Sequence, residues 1–171
     1  MINLQLFAEA VQGKKIVYLF RVLSKAATNA AAAMAFVTEN EKTKSKDADS
    51  TATKDGAIRT PGAAEIEITA TAILAKGDTL AADLEEAMDN DELLEIWEVN
   101  LAEEGTGGKF KGTYYQGYLT EISLSSSAEE HAEYSTTFSI NGNGVKGECT
   151  VSAEQQEIAQ YVFADTNKTG A

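Results

Sequence analysis

The residues that could act as a nucleophile, a base or a metal ligand are few in this chain. Cys149 is the only cysteine and His131 the only histidine among 171 residues. One cysteine cannot form an internal disulfide, and a zinc site of ordinary design needs a cluster of Cys and His. Residue alternation predicts that Cys149 lies with Val145 and Val151 on the apolar face of a strand, where a thiol behaves as a small hydrophobic group. We therefore predict that the protein is not an enzyme and has no catalytic residues.

Three glycines, Gly142, Gly144 and Gly147, match the GxGxxG pattern of dinucleotide-binding loops. In such loops the glycines open a helix, whose N-terminal amide groups meet the pyrophosphate. Here the following residues, VKGECTV, favour a strand, and the run Asn-Gly-Asn-Gly is typical of a hairpin turn. We interpret the segment as a hairpin between strands at 133–140 and 145–151, and we predict no bound cofactor.

Acidic residues are abundant but do not form a recognisable metal site. The chain has 27 Asp and Glu against 14 Lys and Arg, a net charge of −13, and residues 77–108 contain acids but no base. Asp89, Asp91 and Glu92 resemble the start of a calcium loop, but Leu93 takes the fifth position and no glycine takes the sixth. We therefore predict no metal site. The excess of negative charge also argues against stable nucleic-acid binding, which requires clustered positive charge.

Most of the secondary-structure elements that carry the cysteine, the glycines and the acids have strand patterns. They fall at residues 14–22, 33–38, 65–74, 92–101 and 110–125, in addition to the hairpin. The segment 65–74 has the strict apolar-polar alternation of a half-buried antiparallel strand. In 14–22 both faces are apolar, which indicates that both are covered. The segment 92–101 also fits a helical period, but its Ile, Trp and Val favour a strand.

Helix signals are weaker than strand signals. Asp78 or Thr79 can cap a short helix with Leu80, Leu84 and Met88 on one side. The run Ser-Ala-Glu-Gln at 152–155 matches a capping box and predicts a second short helix. We predict a mainly β (α+β) fold, an antiparallel β-sandwich or barrel-like domain with six to eight strands and one or two short helices.

The segment 39–62 is too polar to pack into a core, because it has one Ile and no aromatic residue. Such a long loop in a compact domain is usually disordered or functional. Running out and back as a ribbon, it could reach about 36 Å at roughly 3.3 Å per residue. We predict a single domain over residues 1–171 with a long projecting loop at 39–62 and a polar tail at 167–171.

No signal peptide and no apolar run of about 20 residues is recognisable in the sequence. We therefore expect a soluble protein that is made inside the cell.

The sequence as a whole resembles a known family. The similarity lies in the runs KKIVYLFRVLSKAATNAAAAMAFVTEN, DADSTATKDGAIRTPG, EIEITATAILAKGD, LEIWEV, YYQGYLTEI and VSAEQQEIAQYVFADT, in this order over residues 14–166. These runs resemble the major tail protein, or tail tube protein, of long, non-contractile-tailed bacteriophages. The resemblance implies a β-sandwich subunit, six copies of which close into a ring. Rings would stack head to tail into a tube that guides DNA into the host.

The resemblance also gives the long polar segment a role, as an arm that projects to the neighbouring ring. The candidate contact charges on this arm are Lys44, Asp47, Lys54, Asp55 and Arg59. A lateral contact that closes by rotation makes a ring, and a second, axial contact makes a filament. The arm would supply the axial contact.

The lumen of such a tube must not hold its cargo. An acidic wall repels DNA over about 8 Å at physiological salt. We therefore expect part of the negative charge to face inward, with Glu92, Glu95 and Glu98 as candidate lumen or surface acids. DNA would transit without specific binding.

The implied partners are further copies of the chain, a tape measure protein, and tail-terminator or baseplate proteins, with no membrane involved. The implied location is the virion tail, after synthesis in the cytoplasm of the host bacterium.

Two other functions stay open at this point. The inner tube of a contractile injection or secretion apparatus has the same ring architecture. A monomeric β-sandwich binding module would instead present an aromatic patch, for which Tyr114, Tyr115 and Tyr118 are the candidates.

Overall fold

The computed structural model describes residues 9–153 and residue 155. The elements in this part of the chain are Ile16–Val22 (β1), Val37–Thr53 (β2), Gly56–Ile73 (β3), Thr79–Asp89 (α1), Leu94–Glu104 (β4), Phe110–Ser125 (β5) and Glu133–Cys149 (β6). Single 3-10 turns occupy Gly13–Lys15, Leu23–Lys25 and Thr106–Gly108. No helix within the described range is long and apolar enough to cross a membrane.

The six strands form one antiparallel sheet in the order β1-β4-β5-β6-β3-β2. The sheet curls strongly. The rings of Phe20 on β1 and Phe138 on β6 stack with centroids 4.9 Å apart, although β4 and β5 lie between these strands. The predicted mainly β, barrel-like fold with a short helix is therefore confirmed.

Apolar clusters cover the two faces of β1, as its sequence predicts. Phe20 and Val22 belong to the large core inside the curl, with Ile68, Phe138 and other side chains of β3 to β6. Leu19 points to the opposite face and packs in a smaller cluster. The members of this cluster are Leu19, Val99, Leu101, Phe110 and Val151, with Trp97 and Cys149 against them.

The helix α1 begins where the capping signal predicts. The Oδ1 atom of Asp78 accepts hydrogen bonds from the backbone N–H groups of Leu80 (3.0 Å) and Ala81 (3.3 Å). Leu84 and Ala87 are buried, and Met88 packs against the core. The helix thus closes one side of the barrel through the stripe that its sequence shows.

The strand β6 is continuous, so the predicted Asn-Gly-Asn-Gly hairpin is wrong. Asn141 and Val145 both pair with β5, on either side of Tyr115. The three residues between them form a bulge, in which Gly142 has φ 69° and Gly144 has φ 75°. Positive φ serves a bulge as well as a turn, and β5 supplies hydrogen-bonding partners on both sides. No helix follows these glycines, so the dinucleotide-loop pattern has no structural counterpart.

Of the other predicted strands, one is wrong and three are confirmed, two of them with changed limits. The predicted strand at 33–38 is wrong: Ala32 makes one bridge to Phe20, and β2 begins at Val37. Phe36 interrupts the extended backbone with φ 49°. β3 begins at Gly56, well before the predicted strand, because β2 supplies it with a partner along the arm. The remaining two strands, β4 and β5, occur where predicted, β5 with the predicted limits.

The region after β6 agrees with the sequence pattern as far as it is described. The Oγ atom of Ser152 accepts from the N–H group of Gln155 (3.2 Å), and the Oε1 atom of Gln155 accepts from the N–H group of Ser152 (3.0 Å). These are the two reciprocal bonds of a capping box. The helix predicted beyond it and the tail at 167–171 lie outside the described residues.

Candidate assembly surfaces

The outer face of four adjacent strands is polar and lacks basic residues. Strand pairing places side chains of β2, β3, β6 and β5 on one face, opposite the core. We call this set the polar wall: Glu39, Glu41, Thr43, Ser45, Glu65, Glu67, Thr69, Thr71, Glu133, Ser135, Thr137, Ser139, Tyr118, Glu121, Ser123 and Ser125. It contains six glutamates, nine Ser or Thr residues and one tyrosine, and Ile73 lies beside Glu133 on the same face. Period-two alternation makes the wall polar, because the intervening residues on β3 and β6 form the core.

Hydroxyl groups of the polar wall bond to one another across strands. Thr71 Oγ1 and Ser135 Oγ lie 3.0 Å apart, linking β3 to β6. Thr120 Oγ1, at a bulge of β5, lies 3.3 Å from Ser139 Oγ. The wall strands are therefore linked by side-chain hydrogen bonds as well as by their backbones, and the formal charges of the wall are all negative.

Two strand edges beside the polar wall have no partner within the described subunit. β4 pairs with β5 only as far as Gly117, so Tyr118–Ser125 is bonded on the β6 side alone. β2 pairs with β3 and with no other strand. Open edges of this kind are templates for pairing with another chain.

The arm predicted at 39–62 is a β-hairpin made by the outer parts of β2 and β3. β3 pairs with β6 only from Ile66 onward. The part of β3 before Ile66 pairs with β2 alone, and this hairpin ends in a turn at Lys54 and Asp55. From Ser45 and Glu65 to the turn it extends about 30 Å at roughly 3.3 Å per residue. We call this part, residues 45–65, the projecting arm. Its residues are exposed apart from the half-buried Ala64.

The five predicted contact charges lie along the hairpin and do not converge on one point. Lys44 lies at the base, opposite Ile66, and Asp47 occupies a bulge after Lys46. Lys54 and Asp55 form the turn, and Arg59 pairs in register with Ser50. All five side chains are exposed: Lys44, Asp47, Lys54, Asp55 and Arg59. Their role in contacts between rings stays a prediction.

The predicted acids Glu92, Glu95 and Glu98 are not members of the polar wall, and the register places Glu95 beside Gln116 on the same sheet face, one strand outside the wall. Glu95 is 6% exposed, and its carboxylate accepts from Arg21 Nε (2.6 Å) and the Tyr114 hydroxyl (2.9 Å). Arg21 also lies 5.1 Å from the Trp97 ring centroid. Glu95 is therefore an interior, paired acid within the subunit.

Glu98 and Glu92 are also engaged by neighbouring groups. Glu98 accepts from Lys42 Nζ (2.6 Å) and from the Tyr18 hydroxyl. Glu92 accepts from Ser24 Oγ (2.9 Å). Sequence reasoning missed the acids of the polar wall, although the alternation of Ser, Thr and Glu with apolar residues in 65–71 and 133–139 was a usable signal.

Two tyrosines and the cysteine show the effect of burial on pKa. Burial raises the pKa of Tyr18, and the hydrogen bond to Glu98 raises it further. Burial likewise raises the pKa of Tyr134, which also faces the charge of Asp78. Burial raises the pKa of the Cys149 thiol, and nearby Lys109 only partly offsets this. A raised thiol pKa makes a weaker nucleophile at neutral pH.

The face on which Cys149 lies is partly as predicted. Cys149 and Val151 pack in the smaller cluster, but Val145 is 68% exposed because that cluster does not reach it. Among the described residues, no group of three or more His, Cys, Asp or Glu side chains could hold a metal ion.

The proposed aromatic patch is not assembled on one surface. Tyr115 is buried in the core, and Tyr114 packs 5.2 Å from the Trp97 ring. Tyr118 alone of these three tyrosines is exposed, at 39%. These three tyrosines therefore do not form an aromatic platform for a sugar or peptide.

Comparison with known sequences identifies two matches. The family described as phage tail tube protein matches residues 10–146. A putative tail protein of Staphylococcus phage phiMR25 is 32% identical over 144 residues, which cover 81% of this chain and 75% of that protein.

Solved structures with little sequence similarity share the fold. The SPP1 tail tube is 19% identical, with a TM-score of 0.74 over 95% of both chains. A chain from the tail of an empty gene transfer agent particle, refined with C6 symmetry, is 14% identical with a TM-score of 0.60, over 82% of this chain and all of that one. A chain from the sheath-tube complex of an extracellular contractile injection system is 13% identical with a TM-score of 0.56, over 85% of this chain and 96% of that one.

Proposed function

The chain belongs to the phage tail tube protein family, so it is a structural component of a phage tail and not an enzyme, and we propose that six copies close into a ring whose lumen conducts DNA. Rings then stack head to tail into a tube. The C6 symmetry used for the gene transfer agent tail supports the choice of six.

The polar wall carries this proposal. We assign it to the lumen because it is a broad sheet face with six glutamates and no Lys or Arg. A surface that neutralised phosphates would bind DNA with salt-sensitive affinity and stop it. A wall of acids and short hydroxyls repels the phosphates and offers no cation to hold them. The acids at 92, 95 and 98 contribute less in this arrangement, because neighbouring side chains already bond them.

The dimensions agree with a conduit. Four wall strands from each of six copies make a barrel of 24 strands. At a strand spacing of about 4.8 Å, its circumference is roughly 115 Å and its backbone diameter roughly 37 Å before any strand tilt. This leaves room for a DNA double helix and a layer of side chains.

The projecting arm supplies the axial contact in this proposal. It leaves the barrel along the strand direction, so it reaches beyond the subunit toward the next ring rather than around its own ring. Its candidate contact charges Asp47, Lys54, Asp55 and Arg59 are exposed, as is Lys44 at its base. Tape measure and tail-terminator or baseplate proteins would occupy the lumen and the ends of the tube in the virion.

A long, non-contractile tail is the arrangement we propose. The higher TM-score and coverage of the SPP1 tail tube support it over the contractile injection system. The alternative, an inner tube inside a contractile sheath, rests on the second of these similarities. Images of the native particle separate the two, because only a contractile tail has a sheath.

Negative-stain electron microscopy of the concentrated, purified chain tests the proposal. We expect rings or stacked tubes with a stain-filled centre, and six-fold rotational averages in end views. Particles that stay at the size of one subunit at every concentration, with or without a tail-initiating partner, would contradict it.

A further inference from the structure

We propose that Asn141 is a site of self-modification, at which the side-chain amide is converted to aspartate and isoaspartate through attack by the chain's own backbone. Asn141 and Asn143 are the two asparagines of the sequence that a glycine follows. Both lie at the bulge of β6. The reaction needs no assembly, whereas its consequence for the lumen rests on the proposed ring.

The chemistry involves the side-chain amide, the next backbone nitrogen and water. Hydroxide takes the proton of the Gly142 N–H group, and the nitrogen attacks Cγ of Asn141. The new C–N bond closes a succinimide ring, the bond from Cγ to Nδ2 breaks, and the departing nitrogen takes a proton from water and leaves as ammonia. Water then opens the ring: cleavage at Cγ gives aspartate, and cleavage at the backbone carbonyl gives isoaspartate. Nothing is oxidised or reduced. Glycine favours the attack because it has no Cβ to obstruct the approach of the nitrogen.

The bulge gives the attacking nitrogen room at Asn141. This residue is exposed and is the last one in β6 to pair with β5 before the bulge. Ring closure turns the peptide between Asn141 and Gly142, which leads into the unpaired residues 142–144. Open space surrounds the position that a side chain at Gly142 would occupy. The peptide can therefore turn without breaking a register pair between β5 and β6.

The same dipeptide at Asn143 is held in place. A side chain at Gly144 would overlap the ring of Tyr115, which is buried in the core. The next residue, Val145, is already paired with β5. Turning the peptide between Asn143 and Gly144 would push Gly144 against the ring or break that pair. Two identical, exposed dipeptides thus differ in their freedom to react because of their tertiary surroundings.

The modification places a negative charge in line with the polar wall. Asn141 pairs with Gln116 and continues the alternation of Thr137 and Ser139, so by register it lies on the wall face. Aspartate or isoaspartate at this position adds a carboxylate to the face in each copy. Isoaspartate also lengthens the main chain, and a bulge absorbs such an insertion better than a regularly paired strand. The modification therefore strengthens the repulsion of DNA that we assign to this face.

Peptide mapping by mass spectrometry tests the assignment in the purified chain, at a concentration below that of assembly. The chain is kept at mildly alkaline pH, where hydroxide favours the reaction, and is sampled over time. We expect Asn141 to lose its amide several fold faster than Asn143, with aspartate and isoaspartate as separate products. In urea the two residues should react at similar rates, because glycine follows both. Equal rates in the folded chain, a faster Asn143, or no reaction at Asn141 would overturn the proposal.

Substitutions of Tyr115 provide a second measurement. Tyr115→Leu removes the ring beside Gly144 and should raise the rate at Asn143 toward that at Asn141. Tyr115→Phe keeps the ring and should preserve the wild-type ratio of the two rates. Circular dichroism and urea unfolding check that the variants fold. A folded Tyr115→Leu variant with the wild-type ratio would contradict the packing argument.

The site and the ring proposal can fail separately. Selective reaction at Asn141 in a chain that never forms rings would leave the site intact and contradict the ring proposal. Rings from a chain in which Asn141 does not react selectively would overturn the site alone.

Discussion

Lys42 and Glu98 form an ion pair across the curled sheet, with Nζ 2.6 Å from Oε1. Lys42 lies on β2 and Glu98 on β4, and three strands separate them in the sheet order. The Tyr18 hydroxyl donates to the other carboxylate oxygen of Glu98. The pair therefore ties the base of the projecting arm to the opposite side of the barrel.

Lys42→Met should destabilise the subunit, because it removes the cation and leaves the partly buried Glu98 carboxylate with the Tyr18 hydroxyl of β1 as its hydrogen-bond donor. The side chains are 33% and 19% exposed, so we expect a loss between those of surface and buried pairs, about 1–3 kcal/mol. Urea unfolding measures it. Lys46→Met, on the exposed arm, is the control and should change stability by less than about 0.5 kcal/mol. Equal losses in both variants would show that the pair contributes nothing.

Stability should fall at alkaline pH because of Tyr18 and Tyr134. Burial raises the pKa of both hydroxyls in the folded state, and the carboxylates of Glu98 and Asp78 add to the effect. In the unfolded chain tyrosine loses its proton near pH 10, while the folded state still retains it. The contribution of the two tyrosines to the free energy of unfolding is thus complete below about pH 10 and is lost as the pH rises above it.

The measurement is the urea midpoint between about pH 8 and about pH 11. Tyr18→Phe should flatten the decline, whereas Tyr118→Phe, at an exposed wall position, should keep the wild-type slope. A wild-type midpoint that stays constant over this range would refute the prediction.

Shortening the projecting arm should separate folding from stacking. Lys46 and Ala64 are register partners, so residues 47–63 can be replaced by an Asn-Gly turn. The removed residues are exposed, and we expect unchanged circular dichroism of the body and rings that no longer stack. Thr51→Ala in a full-length arm is the control and should still form tubes. Long tubes from the shortened chain would remove the arm from the axial contact.

Lysines on the polar wall should slow DNA ejection. Glu67→Lys/Glu121→Lys places cations among the acids that we assign to the lumen, where they attract phosphates. In reconstituted phage with intact tubes, we expect ejection several fold slower at low salt. The rate should recover near 1 M salt, where the Debye length is about 3 Å.

Glu85→Lys makes a matched charge change on the exposed side of α1, outside the polar wall. It should leave the ejection rate unchanged. Equal rates for wall and helix variants would argue against an electrostatic role for the wall.

The sequence predicted those elements whose signals are local. The alternation of 65–74 marks the part of β3 that lies over the core, and Asp78 marks the start of α1 through bonds to residues two and three positions away. The capping box at Ser152 and Gln155 is equally local. Periodicity and caps reflect the geometry of one segment with its own backbone, so the sequence is sufficient for them.

Other features are determined only by the tertiary structure, because they depend on which segments lie side by side. The polar residues 39–62 form strands because β2 and β3 satisfy each other's backbone groups, a pairing that needs no apolar pattern. The glycines after Asn141 make a bulge because β5 pairs on both sides of them. Glu95 is buried and Glu98 is partly buried against partners on β1, β2 and β5 that are distant in sequence. The chain's own pattern determines two faces for each strand, whereas long-range pairing determines which face meets the core, a partner or the solvent.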